Sequence, residues 1–142
     1  RDSAEEALDG GTAREKFRAL VAAQGGAPAV IDDPSRLPKA TVIEMVRCGK
    51  GGYLAEADAR LIGMTAVALG AGRARKGDPI DPSVGIVVHA KVGDRLRADA
   101  PLYTLHASDP EKLRAARQQV APAFKLTSRA VQPLPLFYRT VR

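Results

Sequence analysis

The chain has 142 residues, which is enough for one domain or for one domain and a piece of another. It lacks tryptophan and only 4% of its residues are aromatic, so its core has to be built from alanine, valine, leucine and isoleucine. No apolar run approaches the roughly 20 residues that a transmembrane helix needs, which argues against a membrane protein.

The net charge of +6 is distributed unevenly along the chain. Residues 1–36 carry five basic and seven acidic side chains, a balance of −2, whereas residues 37–142 carry seventeen and nine, a balance of +8. A basic domain is one signature of nucleic-acid binding. Here the basic residues are scattered and no aromatic side chains alternate with them to stack on bases. The charge therefore favours an ordinary solvated surface and no nucleic-acid partner.

The single cysteine, Cys48, cannot form a disulfide within the chain, which fits a reducing, cytoplasmic setting. Its candidate partners His89 and His106 lie far away in sequence, so we expect a structural residue near a strand end rather than a metal ligand or nucleophile. The chain opens at Arg1 in a helical pattern without a preceding cap, and no secretory signal is visible. This suggests a piece of a longer protein.

The first quarter of the chain, residues 1–36, is predicted to be helical and to lead into a connector. A capping box at Thr12–Glu15 predicts a helix start, and the apolar residues of Phe17–Val21 recur at helical spacing. Gln24–Gly26 closes this helix. Residues 27–38 contain three prolines and read as a connector, so we place the domain boundary near residue 36.

The central stretch, residues 61–94, predicts a buried helix, a glycine stop and a strand that enters a hairpin. Twelve of its first sixteen residues are small or apolar, so no face remains for water and the helix should pack in an interior. Gly70 and Gly72 should end it through the left-handed backbone conformation. Asp58 is predicted to cap its start, and Val92–Asp94 to form the hairpin turn.

The remaining elements are predicted to be strands and one more helix. The expected strands cover residues 41–47, 53–57, 85–90, 102–107 and 127–132. The strand at 102–107 should pair with the one at 85–90. The last helix opens at Ser108–Pro110, and its apolar stripe is expected to consist of Leu113, Ala116, Val120 and Phe124. This order predicts an α+β fold with a mostly antiparallel or mixed sheet, followed by an extended tail at residues 133–138.

Few residues have the spacing that catalysis or metal binding needs. Gly70–Arg73 could cradle a phosphate, but it follows a helix, whose dipole disfavours anions at that end, so a helix cap and a packed loop are expected. His89 and His106 have no carboxylate at strand spacing to orient them and are expected to be structural. Turn-forming or solvated roles are expected for Asp78, Asp81, Asp94, Arg73, Arg75 and Lys76. The sequence therefore predicts no catalytic residue, no cofactor-binding residue and no metal ligand.

Several segments together resemble one enzyme family. Residues 69–107, LGAGRARKGDPIDPSVGIVVHAKVGDRLRADAPLYTLHA, are similar to the C-terminal domain of the thymidine and pyrimidine-nucleoside phosphorylases. Residues 13–28 resemble the helix that leads into that domain, and residues 49–63 and 133–138 resemble further parts of it. The order and spacing match over nearly the whole chain. At residues 98–100 the family commonly has a turn that contains glycine, a departure that concerns only the local hairpin.

The resemblance implies both an architecture and an activity. These pentosyltransferases are homodimers of a helical domain, a large α/β domain and a C-terminal α/β domain of hammerhead-like, barrel-sandwich form with packed helices. They catalyse phosphorolysis of pyrimidine (deoxy)nucleosides to the free base and (deoxy)ribose 1-phosphate. Their phosphate-binding and base-binding residues lie in the first two domains, so the resemblance implies a catalytically inactive scaffold here. Phosphate would be a co-substrate, and no cofactor is implied.

The same resemblance implies how the chain is divided. Residues 1–36 would be the linking helix and connector from the preceding α/β domain, and residues 37–142 the hammerhead domain with two or three packed helices. Its partners would be the preceding domains of the same polypeptide. Nucleoside and phosphate would bind outside this chain, in a cytoplasmic enzyme without nucleic-acid or membrane partners.

Other interpretations stay open. The chain could be a stand-alone basic binding module, or the same domain of a nucleoside-monophosphate phosphorylase. Residues 85–107 also resemble lipoyl and biotinyl carrier domains, in which two strands flank a similar Val-Gly-Asp turn. Those domains present a modified lysine on an exposed hairpin, whereas Lys91 here adjoins the turn. That likeness therefore supports a sandwich-like β fold and argues against a carrier.

Overall fold

Contacts within the chain divide it into two compact units, Arg1–Pro38 and Lys39–Arg142. A computed structural model describes residues 2–139. The sequence places the boundary near residue 36, whereas the contacts divide the chain after Pro38.

The first unit is helical. It consists of α1 (Asp2–Asp9), α2 (Thr12–Ala23), the short α3 (Ala29–Asp32) and a 3₁₀ turn at Pro34–Arg36. None of its described residues is buried. The predicted connector therefore contains one helical turn and one 3₁₀ turn rather than irregular chain alone.

The predicted capping box at the start of α2 is wrong. Gly11 occupies the N-cap position in the left-handed conformation, and no side chain caps the helix. The Thr12 hydroxyl instead donates a hydrogen bond to the carbonyl of Ala7 at 3.3 Å. This happens because α1 ends only two residues before α2, so its unsatisfied carbonyls compete for the hydroxyl. The predicted end of α2 is confirmed, since the Gly26 amide closes the last turn on the carbonyl of Val21 at 2.9 Å.

The second unit contains the strands that the structure describes between residues 2 and 139. They are β1 (Val42–Arg47), β2 (Gly52–Ala57), β3 (Gly85–Val88), β4 (Arg95–Leu96), β5 (Pro101–Ala107) and β6 (Phe124–Thr127). Sheet A has the order β1-β5-β3 and sheet B the order β4-β2-β6, and all their pairings are antiparallel. The α+β fold and the pairing of β3 with β5 are confirmed. The sequence missed β4, which has only two residues.

Two helices pack with these sheets, and each begins where the sequence predicts. Helix α4 (Ala59–Ala66) continues into a π-helical turn at Val67–Ala71, and α5 (Pro110–Val120) into a 3₁₀ turn. An Asp58 carboxylate oxygen accepts the Leu61 amide at 3.0 Å. Asp109 caps α5 in the same way. In both cases the carboxylate satisfies an amide that has no partner within the helix.

The core lies wholly in the second unit. Its buried apolar residues are Leu54, Leu69, Val84, Ala90, Leu102, Tyr103, Leu105, Ala107, Ala116, Val120 and Ala123. The rings of Tyr103 and Phe124 stack with their centroids 4.9 Å apart. Helix α5 supports sheet A, where Arg117 pairs with Glu44 of β1 at 3.0 Å.

The prediction that α4 is buried on all sides is wrong. Within this helix only Thr65 is buried, and Met64 is 53% exposed. The helix packs against α5 and β3, and no described element covers its other side. Gly70 ends it with φ 112°, as predicted, but Gly72 has an extended backbone, which corrects the left-handed expectation. A Cβ at Gly72 would lie 2.9 Å from the Val67 side chain, so this glycine permits close packing.

Near the end of the chain, the last helix ends earlier and the last strand begins earlier than the sequence predicts. The stripe of α5 ends at Val120, because Pro122 lies in the following 3₁₀ turn and Phe124 begins β6. Residues 128–132 form no strand. Residues 133–138 are an irregular tail whose apolar side chains are largely exposed, Leu136 at 92%.

Candidate functional site

The loop after the central helix is closed by hydrogen bonds within itself. The carbonyl of Gly70 accepts the Asp81 amide at 3.0 Å. The Asp78 carboxylate accepts a hydrogen bond from the Arg75 amide at 2.7 Å. The backbone carbonyl of Asp78 accepts one from Nε of Arg73 at 3.2 Å. A helix whose terminal carbonyl accepts a hydrogen bond from the following loop has a C-cap, as the sequence predicts. The C-terminal end of a helix carries partial negative charge, so this site disfavours an anion.

The remaining turn carboxylates also have backbone partners, which confirms their predicted Asx roles. Asp81 accepts the amide and the hydroxyl of Ser83 at 2.9 and 2.6 Å, and the hydroxyl contact is the main reason that the pKa of Asp81 is lowered. Asp94 accepts the Lys91 amide at 2.8 Å across the predicted hairpin turn. These bonds leave the carboxylates as turn formers.

The two histidines lie near the side of sheet A that faces away from the core. His89 lies one residue beyond β3, and its Nε2 is 2.8 Å from the hydroxyl of Thr104. His106 lies on β5 opposite Ile43 and Gly85. Among residues 2–139, no carboxylate hydrogen-bonds His89 or His106 to orient it. Within residues 2–139, no three His, Cys, Asp or Glu residues are grouped so that they could hold a metal ion.

Cys48 is half-buried at the end of β1. Its amide donates to the carbonyl of Ala100 at 3.0 Å. Burial raises the pKa of its thiol, so the thiol is protonated at neutral pH and is a weak nucleophile.

One cavity of about 640 Å³ lies between the hairpin turn and the tail. Its lining is mainly apolar and includes Ala57, Ala90, Val92, Pro133, Leu134 and Tyr138. Its charged lining residues are Lys91 and Asp94, and the Asp94 carboxylate already closes the turn. The cavity therefore has no nucleophile paired with a base.

The structure also shows an apolar surface that the sequence analysis missed. On sheet A, Ile43, Met45 and Val87 are 57%, 50% and 47% exposed. They flank His106 and Thr104 of β5, and we call these five residues the outer face of sheet A. A sequence signal existed, because β1 is apolar at both odd and even positions apart from Glu44 and Arg47. A strand with that pattern is typically covered on both sides.

A family model described as the pyrimidine nucleoside phosphorylase C-terminal domain matches residues 53–127. The chain belongs to this family. Pyrimidine-nucleoside phosphorylase from Geobacillus stearothermophilus is 37% identical over 138 residues, which are 97% of this chain and 32% of that protein. The chain therefore spans about a third of the length of this curated relative. The resemblance predicted from residues 69–107 is confirmed.

The phosphorylase match runs from β2 to the end of β6. It includes sheet B except Gly52, two strands of sheet A, and helices α4 and α5. The loop closed by Gly70, Asp78 and Asp81 and both histidines lie within it, whereas all of β1 and the helical unit lie outside it. Residues 53–127 thus form a domain of the pyrimidine nucleoside phosphorylase C-terminal domain family. In the described part of the chain, no helix is long and apolar enough to cross a membrane.

Proposed function

We propose that this domain is the scaffold of a pentosyltransferase that cleaves pyrimidine (deoxy)nucleosides with phosphate. A phosphate oxygen forms a bond to the anomeric carbon while the bond from that carbon to the base nitrogen breaks. The base leaves with the bonding electrons and takes up a proton, and the sugar becomes (deoxy)ribose 1-phosphate. Positive charge that develops on the sugar is stabilised by charged groups held around it.

The observation that carries this proposal is that the alignment covers nearly all of this chain but only about a third of the relative. The relative aligns with 97% of this chain, but the chain accounts for only 32% of the relative. In addition, the polar groups that could have served chemistry, such as Asp78, Asp81 and His89, already form bonds within the domain. The reacting groups are therefore assigned to the other two-thirds of the enzyme. This domain supports the cleft whose closure completes the site.

Partners and location follow from the same proposal. The preceding α/β and helical domains are the neighbours of this domain in a homodimeric enzyme, and nucleoside and phosphate bind outside it. Phosphate is the co-substrate and no cofactor takes part. We place the enzyme in the cytoplasm, in pyrimidine salvage. The single cysteine, which cannot form an internal disulfide, supports a reducing compartment.

A phosphorolysis assay tests this division of labour. The 142-residue chain should release no thymine or uracil above an enzyme-free control, and calorimetry should detect no thymidine binding. The full-length protein should be active, and removal of residues 39–142 should abolish its turnover. Activity or tight nucleoside binding by the chain alone would refute the proposal.

A matched substitution tests separately the loop closed by Gly70, Asp78 and Asp81. Arg73→Gln in the full-length protein removes the charged side chain of this loop that is nearest to Gly70 in sequence. Since that loop is a helix C-cap, we expect the KM for phosphate to change less than about twofold. An increase of tenfold or more would instead assign phosphate binding to this loop.

The alternative, a basic binding module, is supported by the +8 balance of residues 37–142. Against it, several cations are paired within the domain, including Arg97 with Asp99 at 2.9 Å and Lys125 with Glu56 at 2.7 Å. Fluorescence anisotropy with a random DNA duplex discriminates the two. Binding that weakens by about 10³-fold or more between low and physiological salt would favour the module.

A further inference from the structure

The two faces of sheet A differ in what covers them. Along β1, positions 42, 44 and 46 are half-buried, and helix α5 packs on this strand. Ile43 and Met45 alternate with them and are at least half exposed. The same side of β3 carries Val87, which is 47% exposed. One face of the sheet is therefore covered by α5, while the side chains of Ile43, Met45 and Val87 on the outer face stay about half exposed.

The outer face is one contiguous surface rather than scattered apolar residues. Met45 and Val87 lie directly opposite Thr104, one on each side of it, and Ile43 lies opposite His106 in the next row. Such neighbours across strands lie roughly 5 Å apart, so their side chains touch. Thr104, between them, is already buried, and its hydroxyl lies 2.8 Å from Nε2 of His89, so covering the apolar side chains around it would leave no unsatisfied group there. The surface is thus suited to being covered.

We propose that the outer face of sheet A docks against the polypeptide that precedes this chain in the full-length protein. The inference rests on the proposed function, in which this domain is one part of a longer enzyme. The matched relative is about three times as long as the region that aligns with it, and the family model is that of a C-terminal domain. A large preceding segment is therefore the available occupant.

The size of the face favours a tethered occupant over a second copy of the chain. The three strands have four to seven residues each. At a spacing of about 4.8 Å between strands and a rise of about 3.3 Å per residue, they cover roughly 200 to 300 Å². A stable dimer buries about 800 Å² on each partner, so this face alone is too small. A covalently linked segment binds at an effective concentration in the millimolar range and needs less area. Strand β1 is the first element of its unit, so polypeptide that precedes the chain is joined to this edge of the sheet through Arg1–Pro38.

Charge indicates the chemistry of the docked surface. Residues 37–142 carry the +8 balance, and the outer face itself has no carboxylate. We therefore expect an apolar contact bordered by acidic side chains on the preceding segment.

Methionine oxidation provides a test that needs no substitution. The chain has two methionines of nearly equal exposure, Met45 at 50% on the outer face and Met64 at 53% on α4. Dilute hydrogen peroxide should oxidise both within about twofold of each other in the 142-residue chain, because oxidation follows exposure. In the full-length protein, mass spectrometry should show Met45 oxidised at least about tenfold more slowly than in the chain.

A pair of substitutions identifies the surface responsible. In the full-length protein, Val87→Asp should return Met45 oxidation to within about twofold of the rate in the chain, since a charge in an apolar contact opposes docking. The control Ala98→Asp adds the same charge at an exposed turn and should leave Met45 protected.

Two results would overturn the proposal. One is an equal rate of Met45 oxidation in the chain and in the full-length protein. The other is protection in the chain alone that rises with its concentration, because a second copy would then be the occupant. Neither measurement requires turnover, so failure here leaves the proposed function standing. Conversely, phosphorolysis by the chain alone would refute that function without changing the oxidation rates.

Discussion

The two units of this chain contain apolar side chains in similar patterns but use them differently. In Lys39–Arg142 the apolar residues of strands and helices form the core, and Leu54 and Leu105 are fully buried. In Arg1–Pro38 the stripe of α2 stays open, with Phe17 and Leu20 at least half exposed. A helix of 12 residues is at the lower limit of what is stable alone in water. The second unit thus has a core of its own, whereas the apolar side chains of α2 remain largely exposed.

The largest difference between the units should appear when an apolar side chain is truncated. Leu105→Ala removes a fully buried side chain from the centre of sheet A and should cost about 3 kcal/mol of unfolding free energy. The matched Phe17→Ala should change the stability of the second unit by less than about 0.5 kcal/mol. Urea unfolding followed by tyrosine fluorescence measures both, because all three tyrosines lie after residue 38. Equal costs would mean that the two units unfold as one.

A smaller difference is expected at the helix starts. Asp58→Ala removes the cap of α4 and should cost about 1 kcal/mol, whereas Asp58→Asn keeps an acceptor and should cost little. Thr12→Ala should cost much less than Asp58→Ala, since the Thr12 hydroxyl does not cap α2. Thermal unfolding by circular dichroism compares the three variants. A Thr12→Ala cost equal to that of Asp58→Ala would restore the predicted capping box.

The smallest difference concerns acid stability. The Lys112 amide lowers the pKa of Asp109 in the second unit, and the Arg18 guanidinium lowers that of Asp32 in the first, both from an ordinary value of 3.8. A lowered pKa in the folded state stabilises the protein above pH 3.8, and this contribution is lost as the pH falls through the folded-state value. The Tm of the second unit should therefore fall on acidification below about pH 4.5.

Substitution by asparagine separates the two carboxylates. Asp109→Asn should flatten the dependence of that Tm on pH, since asparagine still accepts the amide but does not titrate. Asp32→Asn should leave it unchanged, because its ion pairs lie in the unit without a core. An equal flattening by both variants would contradict the separation of the units.

Local hydrogen bonding explains which predictions succeeded. Asp58 and Asp109 cap helices through an amide three residues away, and Gly70 ends α4 through its own backbone conformation. The capping box at Thr12 failed although its pattern is equally local. There the preceding helix offers a competing carbonyl at Ala7, which no pattern within four residues records.

At the candidate site too, contacts between residues close in sequence could be predicted, whereas contacts between distant residues could not. That Asp81 and Asp94 are turn formers could be predicted, because their partners lie within three residues. The contact of His89 with Thr104 could not, because it depends on the register of β3 against β5. The last strand was misplaced because Pro122 ends α5 early enough for Phe124 to stack on Tyr103, a contact set by packing.

By itself, the sequence determined the α+β class, the helix boundaries at Asp58 and Gly70, and the family through the order and spacing of residues 69–107. Only the tertiary structure decided which apolar surfaces are buried. Helix α4 and strand β1 are apolar enough to be covered on every side, yet Met64 and Met45 are at least half exposed. The physical reason is that side-chain chemistry determines what burial would gain, whereas burial itself requires another element at that place in the fold.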